Sequence, residues 1–83
     1  MYSVEFSKKA EEQISKLPKE MQSRITDVLG RIKIRPHHFV KRIVGTDYFR
    51  LRVGKYRIIL DIQNNKLIIY VIDLGLRGNI YKN

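Results

Sequence analysis

Tyr48-Phe49-Arg50-Leu51-Arg52-Val53-Gly54-Lys55-Tyr56-Arg57-Ile58-Ile59-Leu60-Asp61-Ile62 reads as a β-hairpin, and that reading decides the fold. Side chains alternate with period two up to Val53, Gly54-Lys55 supplies a two-residue turn, and β-branched residues fill the return. Closing the loop sets Val53 opposite Tyr56, Arg52 opposite Arg57, Leu51 opposite Ile58, Arg50 opposite Ile59 and Phe49 opposite Leu60. One face is then apolar and the other carries three guanidiniums. Like charges opposed across a sheet destabilise it, and the hairpin's one carboxylate, Asp61, lies near the far end. A cluster of this kind suits an anion brought from outside. The plainer alternative is a solvated basic face whose arginines splay apart at little cost.

Upstream, Tyr2, Val4 and Phe6 fall on one face of a first strand, and Ser7 is a candidate N-cap for a helix bearing Ala10, Ile14 and Leu17. Pro18 breaks that helix and opens a second, whose buried stripe is Met21, Ile25, Leu29 and Ile32, with Arg24, Arg31 and Arg35 pointing elsewhere. Arg35-Pro36 ends it, and residues 36 to 46 read as a loop. Downstream, Asn64-Asn65 marks a second turn because both residues tolerate positive φ. The run Leu67 to Ile72 then reads as a central strand covered on both faces, one layer being the helix pair. Ile68, Tyr70 and Ile72 fall by register on the arginine face with Ile59. That apolar strip is available to a second protein chain or to the C-terminal tail. The expected fold is α+β in one domain over residues 1–83: an N-terminal strand, a two-helix hairpin and three antiparallel strands, giving a four-stranded sheet.

The 83 residues sit near the lower limit for a self-sufficient core. Without cysteine, thiolate chemistry, thiolate metal sites and disulfides are excluded. No apolar run approaches the length of a membrane span, and the expectation is a soluble cytoplasmic protein. The net charge of +9 is concentrated: Arg31, Lys33, Arg35, Lys41, Arg42, Arg50, Arg52, Lys55 and Arg57 face the single acid Asp47 within one third of the chain. Such a surface attracts polyphosphate by releasing condensed counterions. A membrane-surface helix would need its cations beside a broad apolar face, whereas these alternate along a strand.

Metal catalysis finds no support, since His37-His38 is an adjacent pair with no carboxylate nearby in sequence and suits an exposed surface better. No cofactor is expected. Cleaving RNA needs none of these devices, because the strand carries its own nucleophile in the 2′-OH. The protein must supply alignment, positive charge and proton transfer. Arginines provide the first two but remain protonated at ordinary pH. A tyrosine can move the proton where neighbouring cations lower its pKa from about 10. Arg77 and Tyr81, after the last strand, are placed to curl back over the basic face; spacing alone leaves Tyr81 open between packing residue and base.

Taken together, Lys41-Arg42-Ile43-Val44-Gly45, the hairpin from Tyr48 to Ile59, Val71-Ile72-Asp73-Leu74-Gly75-Leu76-Arg77 and Tyr81 resemble the RelE/ParE superfamily of toxin-antitoxin toxins. The resemblance runs over essentially the whole chain and is most specific in the stretch Arg50-Leu51-Arg52-Val53-Gly54-Lys55-Tyr56-Arg57. It implies a RelE-like, microbial-RNase-like fold and a toxin that enters the ribosomal A site. There it would cut mRNA by 2′-OH attack on the adjacent phosphate, and an acidic RelB-like antitoxin would hold it inactive. By the same resemblance, Arg50 and Arg52, with Lys55, Lys41 and Arg42, would grip the RNA backbone. Arg57 would stabilise the transition state, Arg77 would assist at the phosphate or leaving group, and Tyr81 would stack on a base and take part in proton transfer. Leu76 departs from the pattern, standing where many relatives carry His or Lys. The ParE branch shares the fold and poisons DNA gyrase; a nucleic-acid-binding module without catalysis also fits the charge map.

Overall fold

The computed structural model describes residues 1–76. Its elements run β1 (Ser3–Phe6), α1 (Lys8–Ser15), α2 (Lys19–Ile32), a 3₁₀ turn (Pro36–His38), β2 (Lys41–Arg42), β3 (Phe49–Val53), β4 (Tyr56–Gln63) and β5 (Ile68–Leu76). They form an α+β fold in which one sheet, ordered β1-β5-β4-β3-β2, carries the helices on one face. The predicted hairpin register is reproduced pair for pair, including Arg52 opposite Arg57. Gly54 has φ +59 and Lys55 has no positive φ, the pattern of a type II′ turn.

The helices begin where their caps dictate. Ser7 accepts from the Ala10 N–H at 3.0 Å, and its hydroxyl donates to the Ile72 carbonyl at 2.7 Å, fixing α1 to β5 at its first turn. Pro18 is the N-cap of α2. Along α2, Ile25, Leu29 and Ile32 recur at helical spacing and are buried, with Met21 packed at the edge of the same stripe. The helix ends at Ile32, before the expected stop at Arg35, where φ −138 and ψ 73 are already non-helical.

Alternation in β3 and β4 sends Leu51, Val53, Ile58, Leu60 and Ile62 toward the helices, where they meet Ile69, Val71 and Leu74 of β5. Each such side chain stabilises the fold by about 1.5–3 kcal/mol on burial. Leu60 is fully buried on the central strand, so Leu60→Ala would cost about 2–5 kcal/mol.

Three expectations need correction. The sheet has five strands, because Lys41–Arg42 pairs with β3; two residues are too few to display a period. The left-handed residue of the second turn is Leu67, φ 55, rather than Asn64 or Asn65. The four-residue loop 64–67 turns through carbonyls of Gln63 and Asn64 and closes on its last residue.

β5 also departs from expectation. It is hydrogen-bonded on both sides, to β1 in parallel and to β4 antiparallel, but β4 is the middle strand. Coverage of the open face is uneven: Tyr70 is exposed and Ile68 half-buried, while Ile59 of β4 on the same face is buried. An apolar run alone does not reveal how many faces are covered. Pairing with Gln63 and Asp61 places Ile68 and Tyr70 on the open face as expected. Ile72 is the extra residue of a bulge between the Leu60–Val71 and Ile59–Asp73 pairs. Gln13 of α1 secures this bulge, donating to Asp73 Oδ1 at 2.7 Å and accepting from the Leu74 N–H at 2.9 Å.

Candidate functional site

The open face owes its charge to strand geometry. Arg50 and Arg52 are two residues apart on β3 and share a face, while the intervening Leu51 enters the core. Register then adds Arg57 opposite Arg52 and Lys41 opposite Arg50. On its other side Arg57 is paired with Gly75, so no side chain intervenes from β5. Lys41, Arg50, Leu51, Arg52 and Arg57, with Phe39, line a cleft of about 240 Å³.

Arg50, Arg52 and Lys41 form no ion pair with a carboxylate among the described residues. Asp47, the acid closest in sequence, is engaged by Arg42 at 3.0 Å, and the Arg42 Nε also donates to the Thr46 carbonyl at 3.1 Å. Asp61 accepts from Gln63 at 3.1 Å, and Asp73 is held by Gln13 and Lys9. None of these carboxylates is paired with Lys41, Arg50 or Arg52, whose positive charge attracts phosphate.

The structure brings together four of the basic candidates and separates two. Arg42 follows Lys41 along β2 and so lies on the opposite face, tied to Asp47. Lys55 is exposed in the hairpin turn, beyond the cleft lining. Arg77 and Tyr81 lie outside the described residues. His37 has a local structural setting: its Nε2 is 3.0 Å from Asn64 Oδ1, which also accepts from the Tyr2 hydroxyl at 2.8 Å, and its ring meets Phe49 edge-on at 5.2 Å. Among the described residues no group of three or more potential ligands could hold a metal ion.

Phe39 was not among the expected site residues. It follows the 3₁₀ turn, donates its N–H to the Pro36 carbonyl at 3.1 Å, and remains 54% exposed while lining the cleft. A lone aromatic in a short loop carries no periodic signal, and its neighbourhood depends on the pairing of Lys41 with Arg50.

A family model described as the ParE toxin of type II toxin-antitoxin system, parDE, matches residues 4–81. The chain therefore belongs to the RelE/ParE superfamily of type II toxin-antitoxin toxins. Among solved structures, the archaeal RelE–RelB complex from Pyrococcus horikoshii OT3 matches with TM-score 0.81 and 27% identity, over 94% of this chain and 97% of that one. The RelBE2 toxin-antitoxin complex of Mycobacterium tuberculosis matches at TM-score 0.81 and 23% identity, over 92% and 98%. The intact E. coli RelBE complex gives 0.81 and 18%, over 94% and 99%. The last two show likeness of fold alone. No curated protein sequence matches the chain. No helix among the described residues is long and apolar enough to cross a membrane.

Proposed function

We propose that this chain is a ribosome-dependent mRNA endoribonuclease, the toxin of a toxin-antitoxin pair. The observation that carries this reading is the cationic cleft in which Lys41, Arg50, Arg52 and Arg57 share one lining. In the proposed reaction the 2′-OH of one nucleotide attacks the adjacent phosphorus, the bond to the 5′-oxygen of the next nucleotide breaks, and a 2′,3′-cyclic phosphate remains. Negative charge grows on the phosphoryl oxygens, and fixed guanidiniums stabilise it. Lys41, Arg50 and Arg52 hold the backbone while Arg57 acts on the reacting phosphate. Arg77 and Tyr81 carry the leaving-group and proton-transfer roles by resemblance to the family. An acidic RelB-like antitoxin is the proposed partner, in keeping with the RelE–RelB composition of the similar complexes and with charge complementarity.

The ParE description of the matching family model favours a second reading, inhibition of DNA gyrase. Incubation of the purified chain with programmed ribosomes, followed by mapping of mRNA 3′ ends, separates the two. Cyclic phosphates at A-site codons support the nuclease. Intact message together with gyrase-linked DNA breaks supports the gyrase reading.

A further inference from the structure

We propose that Phe39 is a base-stacking platform for single-stranded RNA, set beside the cations that hold the phosphates. The inference rests on the proposed function and adds a specificity-determining contact to the same cleft. Phe39 is more than half exposed, yet it lines the cleft with Lys41, Arg50, Arg52 and Arg57 instead of packing into the core. Its backbone is held by the hydrogen bond to Pro36, and two residues later the chain joins the sheet through Lys41. The ring is therefore carried on a short tether between two fixed points.

An aromatic face beside a groove of positive charge is the pairing by which proteins bind single strands: the cations follow the backbone and the ring accepts an unstacked base. Duplex nucleic acid keeps its bases stacked internally and offers no free face to Phe39. The adjoining guanidiniums would fix the phosphate, leaving the attached base to be received by the ring. Selectivity follows from stacking strength, with purines held more tightly than pyrimidines.

The two components respond differently to salt. Loss of a phosphate contact reduces the slope of log K against log salt by about 0.7 for a single strand. Loss of a stacking contact lowers affinity at every salt concentration and leaves the slope unchanged. Titration of a fluorescent six-nucleotide RNA into the purified chain at several salt concentrations tests the assignment, using wild type, Phe39→Ala, Phe39→Leu, Phe39→Trp and Arg52→Ala.

The expected result is a loss of about 5- to 150-fold for Phe39→Ala, at an unchanged salt slope. Phe39→Leu should lose nearly as much and Phe39→Trp should retain binding, whereas Arg52→Ala should reduce the slope. Matching thermal unfolding of the Phe39 variants separates a lost contact from a lost fold. Unchanged affinity in folded Phe39→Ala, equal retention by Leu and Trp, a preference for duplex, or no binding by wild type at low salt would each overturn the proposal. RNA binding that depends on Phe39 without any ribosomal cleavage would uphold the platform and reject the nuclease.

Discussion

Lys41 stands directly across the β2–β3 ladder from Arg50, repeating one strand farther out the like-charge pairing of Arg52 with Arg57. Each opposition costs stability, and neither Lys41 nor Arg50 has a carboxylate partner among the described residues. The fold tolerates this arrangement because the other face of the same strands buries Leu51, Val53, Ile58 and Leu60.

Changing Lys41 to glutamate should convert a repulsive cross-strand pair into an attractive one. Lys41→Glu is expected to stabilise the chain by about 0.2–1 kcal/mol while weakening RNA binding. Urea midpoints and RNA titrations on the same preparation check both signs; a loss of stability would contradict the reading.

Screening should act in the same direction as that substitution. With a net charge of +9 and its excess gathered on one face, the chain should gain thermal stability between low salt and about 0.15 M, where the screening length falls to about 8 Å. Melting curves across that range provide the measurement.

Leu67 occupies a left-handed conformation, φ 55, at an exposed turn position. Leu67→Asn or Leu67→Gly should relieve part of a strain of about 1–2 kcal/mol, raising the urea midpoint. At Gly54 the opposite holds: φ is +59 and an added Cβ would lie 3.2 Å from the Arg24 guanidinium. Gly54→Ala should therefore destabilise by about 1–2 kcal/mol.

Gln13 links α1 to the bulge in β5 through two hydrogen bonds. Gln13→Leu removes both bonds, but the Leu74 N–H still donates to Asp73 Oδ1 at 2.8 Å and Asp73 keeps Lys9, so the expected cost is about 0.5–1.5 kcal/mol for each bond lost. Hydrogen exchange at Leu74 should accelerate in the variant more than exchange within β3.

The hairpin was legible because alternation, a glycine turn and a buried face all specify one register, and a slip of one residue would drive the arginines into the core. Ser7 and the α2 stripe were legible for equally local reasons. The pairing of Lys41 with Arg50 was not, since a two-residue strand is defined by its partner. The exposure of Tyr70 was hidden for a related reason: hydrophobicity identifies a strand without stating which layers cover it. Leu67 was missed because its conformation is imposed by loop length, against its own preference. Phe39 became visible only when the chain around it was closed in space.

The role of Arg57 is decided by the rate of mRNA cleavage on programmed ribosomes by wild type and Arg57→Ala, side by side, with product ends mapped. Wild type should leave 2′,3′-cyclic ends, and the variant should cleave about 10²–10³-fold more slowly, the usual effect of removing one stabilising donor. Equal rates, or no cleavage by folded wild type, would contradict that role.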